Sequence, residues 1–469
     1  MKLKAYRATV GLTQSKLAEL VGVSELSIVK YESGATIPSA DTMRRIYQVS
    51  SGAVTPNDFY ALQDVALTKP LGSVPAAAQH ESRTAVGLMS GTSMDGIDAA
   101  LLVTDGQRFI QERGSHSLRY TPAFRKELKR AEQAVREARG DLAAARASFR
   151  GLDEVVREST DLHAQVVEEL LEGEGHRASQ IDVVGYHGQT LYHRPADRVT
   201  VQAGDGERLA KRLGIPVVFD FRSNDVRHGG QGAPFAPLYH EALALQMGIA
   251  PVCVANCGGI SNITIISGRS AELSAFDCGP GNGLIDRFVA ARTGKPCDED
   301  GVFGLQGRVH DRVLAALRSS AVRTADGADY LMRPPPKSLD INDLVLVPEL
   351  EGLTLQDGCA TLEAFTAACI VESLAWIEQR GIPVPLLWVL GGGGWKNPVI
   401  VRELSARLRE RLGDGVRMQH AEAVGWNGTA LEAQIFAYLA VRSLRGLPLS
   451  IPGTTGVPEP LTGGVLAKP

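Results

Sequence analysis

Cysteine is scarce. Six thiols, Cys253, Cys257, Cys278, Cys297, Cys359 and Cys369, are spread over 469 residues with no CxxC pair. That spacing excludes a disulfide scaffold and fits reduced thiols in a cytosol. Cys253 and Cys257 are four apart but lack a second ligand pair, which argues against zinc. No uninterrupted apolar run is long enough to span a bilayer. The N-terminus has no apolar stretch of the secretory type. A cytoplasmic protein without membrane contact is expected. An excess of positive charge is also missing. Lys and Arg number 49 against 53 Asp and Glu, a net charge of −4. Such a chain is not one that coats nucleic acid or anionic membrane. At 44% hydrophobic and 22% charged, its composition is that of a globular protein of two or three domains.

Glycine and small polar residues gather where they suggest chemistry. The chain is organised around Gly87-Leu-Met-Ser-Gly-Thr-Ser-Met-Asp-Gly-Ile-Asp98. Apolar residues lead in over 84–89 and out over 97–104, so the pattern reads strand, tight turn, strand. Gly91 and Gly96 let the backbone approach a ligand, with Thr92, Ser93 and Asp95 between them. Backbone N–H groups and hydroxyls suit phosphate oxygens, and a carboxylate suits the magnesium that accompanies them. The Lys-Ser/Thr ending of a P-loop is absent, so that assignment is excluded. An ordinary glycine-rich hairpin is the alternative.

Residues 1–65 read as a small all-α unit. Thr13 caps a helix over 14–21, Gly22 permits a sharp turn, and Ser24 caps a second helix over 25–32. Ile28 faces inward and Gly34 ends that helix. The pattern TQ…LA…GVS…I…YE-G…P resembles the helix-turn-helix of the phage-repressor-like family. The resemblance implies DNA contact, as a dimer, through Glu25, Leu26, Ser27 and Lys30 in the major groove. Against it, residues 1–60 carry seven Lys/Arg and five Asp/Glu, a thin electrostatic footprint. A relic or a protein-contact module is the alternative. Residues 66–83 have linker composition.

Residues 122–175 read as two or three surface helices with a solvated charged face. A strand over 181–185 delivers Tyr186, His187 and Gln189. Another, over 215–219, delivers Asp220, Arg222 and the glycine-rich 229–234. Polar residues at the ends of apolar strands predict a cleft at the carboxyl edge of a sheet. The strand–loop–strand pattern recurs over 251–266, with Gly258 and Gly259 in the loop 256–262. Asp277 falls in a turn ahead of a helix from Leu284. Residues 334–337 read as a surface loop. A helix over 360–380, a buried strand over 386–390 ending in Gly391 to Gly394, and a last helix over 430–444 precede an irregular tail.

Two phosphate-type hairpins and a late glycine turn in this order resemble the actin, hexokinase and Hsp70 class. That class is α/β, two-lobed and ribonuclease H-like. The lobes are expected at 84–250 and 251–469. The motifs at 87–98, 187–190, 220–222, 229–234, 256–262, 277–282 and 391–394 together resemble the anhydro-N-acetylmuramic acid kinase family, from about residue 84 to the C-terminus. The resemblance implies a peptidoglycan-recycling enzyme. Its reaction takes 1,6-anhydro-N-acetylmuramic acid, ATP and water to N-acetylmuramic acid 6-phosphate and ADP. It implies Asp277 as the base for the attacking water, although Asp-x-Gly-Pro by itself also suits a turn or helix cap. It implies ATP contacts at Gly91, Thr92, Ser93, Met94, Asp95, Gly96, Ile97, Asp98, Gly258, Gly259, Gly391, Gly392 and Gly393. Asp95 would hold Mg2+ through water. Gln189, Arg222 and Glu432 would hold the sugar, with Arg222 on its lactyl carboxylate.

Three features depart from the family pattern. Its Pro-Pro-Lys-Ser-Thr-Gly-Arg-Glu segment reads Pro335-Pro-Lys-Ser-Leu-Asp-Ile-Asn342 here. The lead-in to Glu432 is altered, and the helix-turn-helix is an addition. A sugar-responsive transcriptional regulator on a kinase fold is the competing reading. The presence of both Asp95 and Asp277 favours an active kinase. A homodimer is expected.

Overall fold

The computed structural model describes residues 3–33, 36, 38, 40–50, 54, 82–91, 94–268, 273–322, 329–339, 341–428 and 430–469. The chain divides into two compact units, Met1–Pro75 and Ala76–Pro469. In the first, the described helices are α1 (Leu3–Thr9), α2 (Gln14–Val21), α3 (Glu25–Ser33) and α4 (Ala40–Val49). Thr13 caps α2 by accepting the Lys16 N–H, and Gly22 ends it in the left-handed conformation at φ 70°, which costs a glycine little. Ser24 Oγ accepts the Ser27 N–H at the start of α3. Leu17, Val21, Ile28 and Ile46 form the core. Gly34 and residues 66–81 of the expected linker lie outside the described residues.

The second unit opens with an antiparallel meander: β1 (Arg83–Ser90), β2 (Gly96–Thr104) and β3 (Ile110–Arg119). Helices α5 (Pro122–Glu137), α6 (Leu142–Ser148) and α7 (Leu152–Gly173) lead to β4 (Val183–Arg194). Then come β5 (Val199–Ala203), α8 (Gly206–Leu213) and β6 (Val217–Phe219). β4 runs parallel to β1, and β6 parallel to β4.

After α9 (Ser223–Arg227) and α10 (Ala236–Gln246), the plan repeats. β7 (Val252–Cys257), β8 (Ile260–Ile266) and β9 (Ser274–Pro280) form a second meander. Helices α11 (Gly283–Thr293), α12 (Asp311–Ser320) and α13 (Leu355–Gln379) precede β10 (Leu387–Gly391). Then follow α14 (Pro398–Leu412), β11 (Arg417–His420), α15 (Leu431–Leu444) and β12 (Val465–Ala467). β10 pairs parallel with β7, and β11 with β10.

The sheet orders are β12-β6-β4-β1-β2-β3 and β11-β10-β7-β8-β9. Without β12, each half has the same topology: three meander strands, then two parallel additions on the side of the first. This is the two-lobed ribonuclease H-like kinase fold, and the repeat visible in the two hairpins extends to the whole half.

Period-2 alternation places the layers. On the first sheet, Val86, Leu88, Val184 and Tyr186 face a core closed by α5 and α7. On the second, Cys253, Ala255, Phe276 and Cys278 face a core closed by α11, α13 and α14. The inner faces meet a shared layer. Ala85, Val183 and Val218 from one sheet, and Val252, Val254 and Val389 from the other, pack with α10 and α15 in a single cluster. Helix α13 is long and apolar enough to cross a membrane, but 83% of its apolar window is buried inside the protein. It is the core helix of the second lobe.

The last part of the chain returns to the first lobe, so the expected boundary at 251 does not divide the packing. α15 lies on β1, β2 and β4, and β12 pairs antiparallel with β6. Several other expectations need correction. The strand expected over 181–185 runs on to Arg194, because Gly188 at φ 74° absorbs an irregularity and β5 supplies a partner. The loop expected at 256–262 shrinks to Gly258 and Gly259 between β7 and β8. β3, β5 and β12 were not expected. β3 is an edge strand whose Gln111, Glu112 and Arg113 are exposed, so it carries no apolar run to read.

α15 approaches the first sheet through two glycines. A Cβ at Gly87 would lie 1.9 Å from the Ala433 carbonyl oxygen, and one at Gly185 would lie 2.1 Å from that of Phe436. Overpacking of this kind costs about 1–3 kcal/mol, occasionally more. Gly87→Ala should therefore lower the thermal midpoint of the enzyme, read by calorimetry. Gly173→Ala, whose new methyl group meets nothing within 4 Å, should leave it unchanged or raise it.

Candidate active site

The turns of both hairpins and the carboxyl ends of β4, β6 and β10 lie on one edge of their sheets, where parallel α/β sheets bind ligands. The first hairpin is braced from β4. Ser90 Oγ donates to the Gly188 carbonyl (3.2 Å), and Gln189 Nε2 donates to the Gly91 carbonyl (3.0 Å). Gln189 is fully buried. Its Nε2 braces the turn, while its Oε1 finds no hydrogen-bond partner among the described residues. The side chains of Met94 and Ile97 are also buried, so at those positions only backbone can meet a ligand. Thr92 and Ser93 lie outside the described residues.

Asp95 is exposed, and its Oδ2 pairs with Arg119 Nη1 at 3.0 Å. Asp98 accepts a hydrogen bond from Ser117 Oγ (2.5 Å). Among the described residues, no three His, Cys, Asp or Glu side chains converge closely enough to hold a metal ion alone. An exposed ion pair is worth at most about 1 kcal/mol. Asp95 is exposed and this pair is weak, so the carboxylate fits magnesium held through water and ligand phosphates.

The second hairpin is pinned from the other side. The Gly258 carbonyl accepts the Asn282 N–H (2.7 Å), and the Gly259 carbonyl accepts those of Gly281 and Gly283 (both 3.0 Å). The turn therefore rests on the start of α11. Beside it stands the glycine turn after β10. Gly392, at φ 93°, and Gly394 press against the end of β7, where added Cβ atoms would meet Asn256 Oδ1 and Cys257 Sγ at 2.6 and 2.3 Å. Gly391 and Gly393 face open space. This is a surface against which a flat nucleoside can lie. Behind it, Asn397 caps α14 with its Oδ1 and donates through Nδ2 to Glu363 Oε1 (2.6 Å). Glu363 is fully buried, and burial pushes its pKa up to about 8.

Arg222 follows β6 and is half-buried. Its Nε donates to His187 Nε2 (2.9 Å) and its Nη1 to the Gly232 carbonyl. Burial lowers its pKa to about 10, opposed by Asp225 and Glu432. His187 is buried against Phe436, and burial, with Arg222 next, holds its pKa well below the usual value. It is a neutral core histidine that orients Arg222. Glu432, on the first turn of α15, is open to water but walled by protein. Desolvation by that wall, then Asp98, raises its pKa, while Arg222 lowers it. Arg222 and Glu432 therefore share one electrostatic neighbourhood.

Asp277 lies within β9, not in a turn, which corrects its expected setting. Phe276 and Cys278 point into the outer core, so Asp277 faces the other way. Its Oδ2 accepts the Leu339 N–H (2.8 Å), and among the described residues its Oδ1 has no hydrogen-bond partner. Burial raises its pKa to about 7, with the Leu339 N–H and Lys337 pulling down. A carboxylate near 7 suits a general base. Lys337 was expected on a surface loop. It is buried, with its ammonium donating to the carbonyls of Tyr330 (3.1 Å) and Leu331 (3.3 Å). The proline run at 334–336 suggested exposure; nothing local marked the lysine as an interior residue.

In the first unit, Glu25, Leu26 and Lys30 of α3 are exposed and Ser27 is half-exposed, its hydroxyl 2.8 Å from that of Ser24.

A sequence profile of the anhydro-N-acetylmuramic acid kinase family matches residues 83–468, and a helix-turn-helix profile matches residues 3–48. Anhydro-N-acetylmuramic acid kinases of Nitrobacter winogradskyi and Rhizobium etli are 44% and 45% identical over 389 and 390 residues. Each alignment spans 82% of this chain, and 100% and 99% of the relative. That of Rhodospirillum rubrum is 45% identical over 381 residues, 81% of this chain and 93% of the relative.

The open space at Gly393 can be tested. Gly393→Val should raise the KM for the nucleotide while leaving that for the second substrate and the thermal midpoint nearly unchanged. Equal effects on both KM values would place the nucleoside elsewhere.

Proposed function

The chain belongs to the anhydro-N-acetylmuramic acid kinase family, and on that premise we propose that it couples hydrolytic opening of the 1,6-anhydro ring to phosphorylation of O6. The products are N-acetylmuramic acid 6-phosphate and ADP. The observation that carries this reading is Asp277. It pairs a pKa of about 7 with one carboxylate oxygen held by the Leu339 N–H and the other without a hydrogen bond among the described residues.

Water attacks C1, the C1–O6 bond breaks, and O6 forms a bond to the γ-phosphorus as the bond from that phosphorus to the bridging oxygen of ADP breaks. An inverting glycosidase needs a base for the water and an acid for the leaving oxygen. ATP, bound with magnesium, supplies the γ-phosphoryl group that takes up the charge developing on O6, so no protein acid is required. Asp277 accepts the proton of the water through Oδ1. Backbone N–H groups at the two hairpin turns hold phosphate oxygens, at the second turn through Gly259, because the Gly258 N–H already donates to the Ile260 carbonyl (3.1 Å). Asp95 carries the hydrated magnesium. Arg222, whose Nη2 makes no hydrogen bond among the described residues, binds the lactyl carboxylate, and Glu432 accepts from sugar hydroxyls. Neutral His187 holds the guanidinium in place without adding charge.

The first unit supports a second activity in the same chain. The exposed face of α3 offers Glu25, Leu26, Ser27 and Lys30 to a major groove, and we read the unit as DNA-binding and the chain as a homodimer. Removing residues 1–80 should leave turnover within a few fold. Lys30→Ala should weaken binding to a selected duplex by about 1–3 kcal/mol if it contacts a base edge, measured by fluorescence anisotropy at fixed salt.

For the kinase, Asp277→Asn keeps size and much of the hydrogen bonding but cannot accept a proton. It should lower kcat by about 10²- to 10⁴-fold with ATP and sugar binding retained. In the unaltered enzyme, kcat/KM should rise with pH through an acid limb near 7, where Asp277 ionises. Oxygen from labelled water should appear at C1 and phosphate on O6. A product labelled on phosphate instead, or a preference for intact N-acetylmuramic acid, would overturn the reaction proposed.

A further inference from the structure

The segment 329–339 lies across β9 as a strap. Asp277 N–H donates to the Lys337 carbonyl (3.1 Å), and the Leu339 N–H donates back to Asp277 Oδ2 (2.8 Å). Tyr330 OH donates to the Asp277 carbonyl (3.0 Å). Both ends of the residue that bears the base are therefore held by one short stretch of chain. The strap reaches further, since Ser338 Oγ donates to Gln231 Oε1 (3.0 Å) in the 229–234 loop.

What folds the strap back on itself is Lys337. Its Nζ donates to the Tyr330 and Leu331 carbonyls and lies 4.6 Å from the centre of the Tyr330 ring. A cation here meets two carbonyl dipoles and an aromatic face, which offsets part of its desolvation. The charged and titratable groups around it are Asp277, Asp329, Tyr330, Cys278 and Cys369. Burial pushes the Cys278 thiol up to about 12 and the Cys369 thiol well above its usual value, so both are neutral. The ammonium's field thus falls on two carboxylates, and one of them is the base.

We propose that Lys337 is the positioning residue of the base: its ammonium closes the 329–339 strap and so aims the Leu339 N–H at Asp277. This rests on Asp277 being the base. The N–H and the ammonium act on the carboxylate in the same direction. Burial alone drives Asp277 toward the neutral acid, and the N–H and the cation oppose it. Removing the cation should raise the pKa of Asp277. The fraction able to accept a proton then falls at and below neutral pH and recovers as pH rises.

The test is the pH dependence of kcat/KM for the full-length enzyme and for Lys337→Met and Lys337→Arg. Loss of a nearby opposite charge shifts a carboxylate by roughly one pH unit or more. Lys337→Met should move the acid limb up by about that amount, with the KM for ATP nearly unchanged and the rate approaching the original above the new limb. Lys337→Arg keeps the charge and should return the limb most of the way. A purely structural lysine would lower the yield of folded enzyme or kcat at every pH and leave the limb where it was; that result overturns the proposal. Should Lys337→Met not fold, Ser338→Ala decides the matter. It loosens the strap from the 229–234 loop and should raise the KM for the anhydro-sugar, whereas an unchanged KM overturns the strap's role. Failure of the base assignment is separable: Asp277→Asn would then keep near-normal kcat, whatever the Lys337 variants do.

Discussion

Contact between the backbone of α15 and two glycines governs the architecture of the larger unit. Gly87 on β1 and Gly185 on β4 let the helix lie directly on the first sheet, with Ala433 and Phe436 carbonyl oxygens where side chains would otherwise stand. That close approach lets one helical layer serve two sheets. Residues of α10 and α15 pack with inner-face residues of both in a single cluster. It also sets the position of Glu432, which lies in the first turn of the helix that the glycines seat. Packing at Gly87 and the electrostatics around Arg222 are therefore one feature of the structure.

The cleft is built from turns held at a distance from their ligands. Gln189, Asn282 and Asn397 each spend polar groups on backbone of the glycine turns or their flanking helices. Such support leaves backbone N–H groups and open glycine positions for phosphate and nucleoside, since an ordered loop loses less entropy on binding. The same logic holds after β6, where a neutral His187 fixes Arg222. Burial disfavours charge at Asp277, His187 and Glu363 alike. At Asp277 the Leu339 N–H and Lys337 partly reverse it, which leaves that carboxylate near neutrality.

Much of this was legible residue by residue. The turns at 91–96 and 391–394 announced themselves through glycine after apolar strands. Thr13, Gly22 and Ile28 marked a cap, a stop and a core position in the first unit, because capping and helical periodicity are local. Edge strands were not legible. β3 carries exposed charge, and β5 and β12 are short; each exists because a neighbour offers an unpaired edge. Gln189 reads as a polar cleft residue and is a buried brace, since a sequence does not say which polar side chains find partners.

By itself the sequence determined the kind of elements, the order of the motifs, and which carboxylates were candidates for the chemistry, all from spacing and residue type. Tertiary structure alone decided that residues 431–467 return to the first lobe. It also decided that Asp277 sits in a strand beneath a strap, and that Lys337 is an interior cation rather than a loop residue. The physical reason is range. Caps, turns and periodicity act within a few residues, whereas desolvation and charge pairing depend on groups such as Asp277 and Leu339, 62 residues apart, that only folding brings within reach.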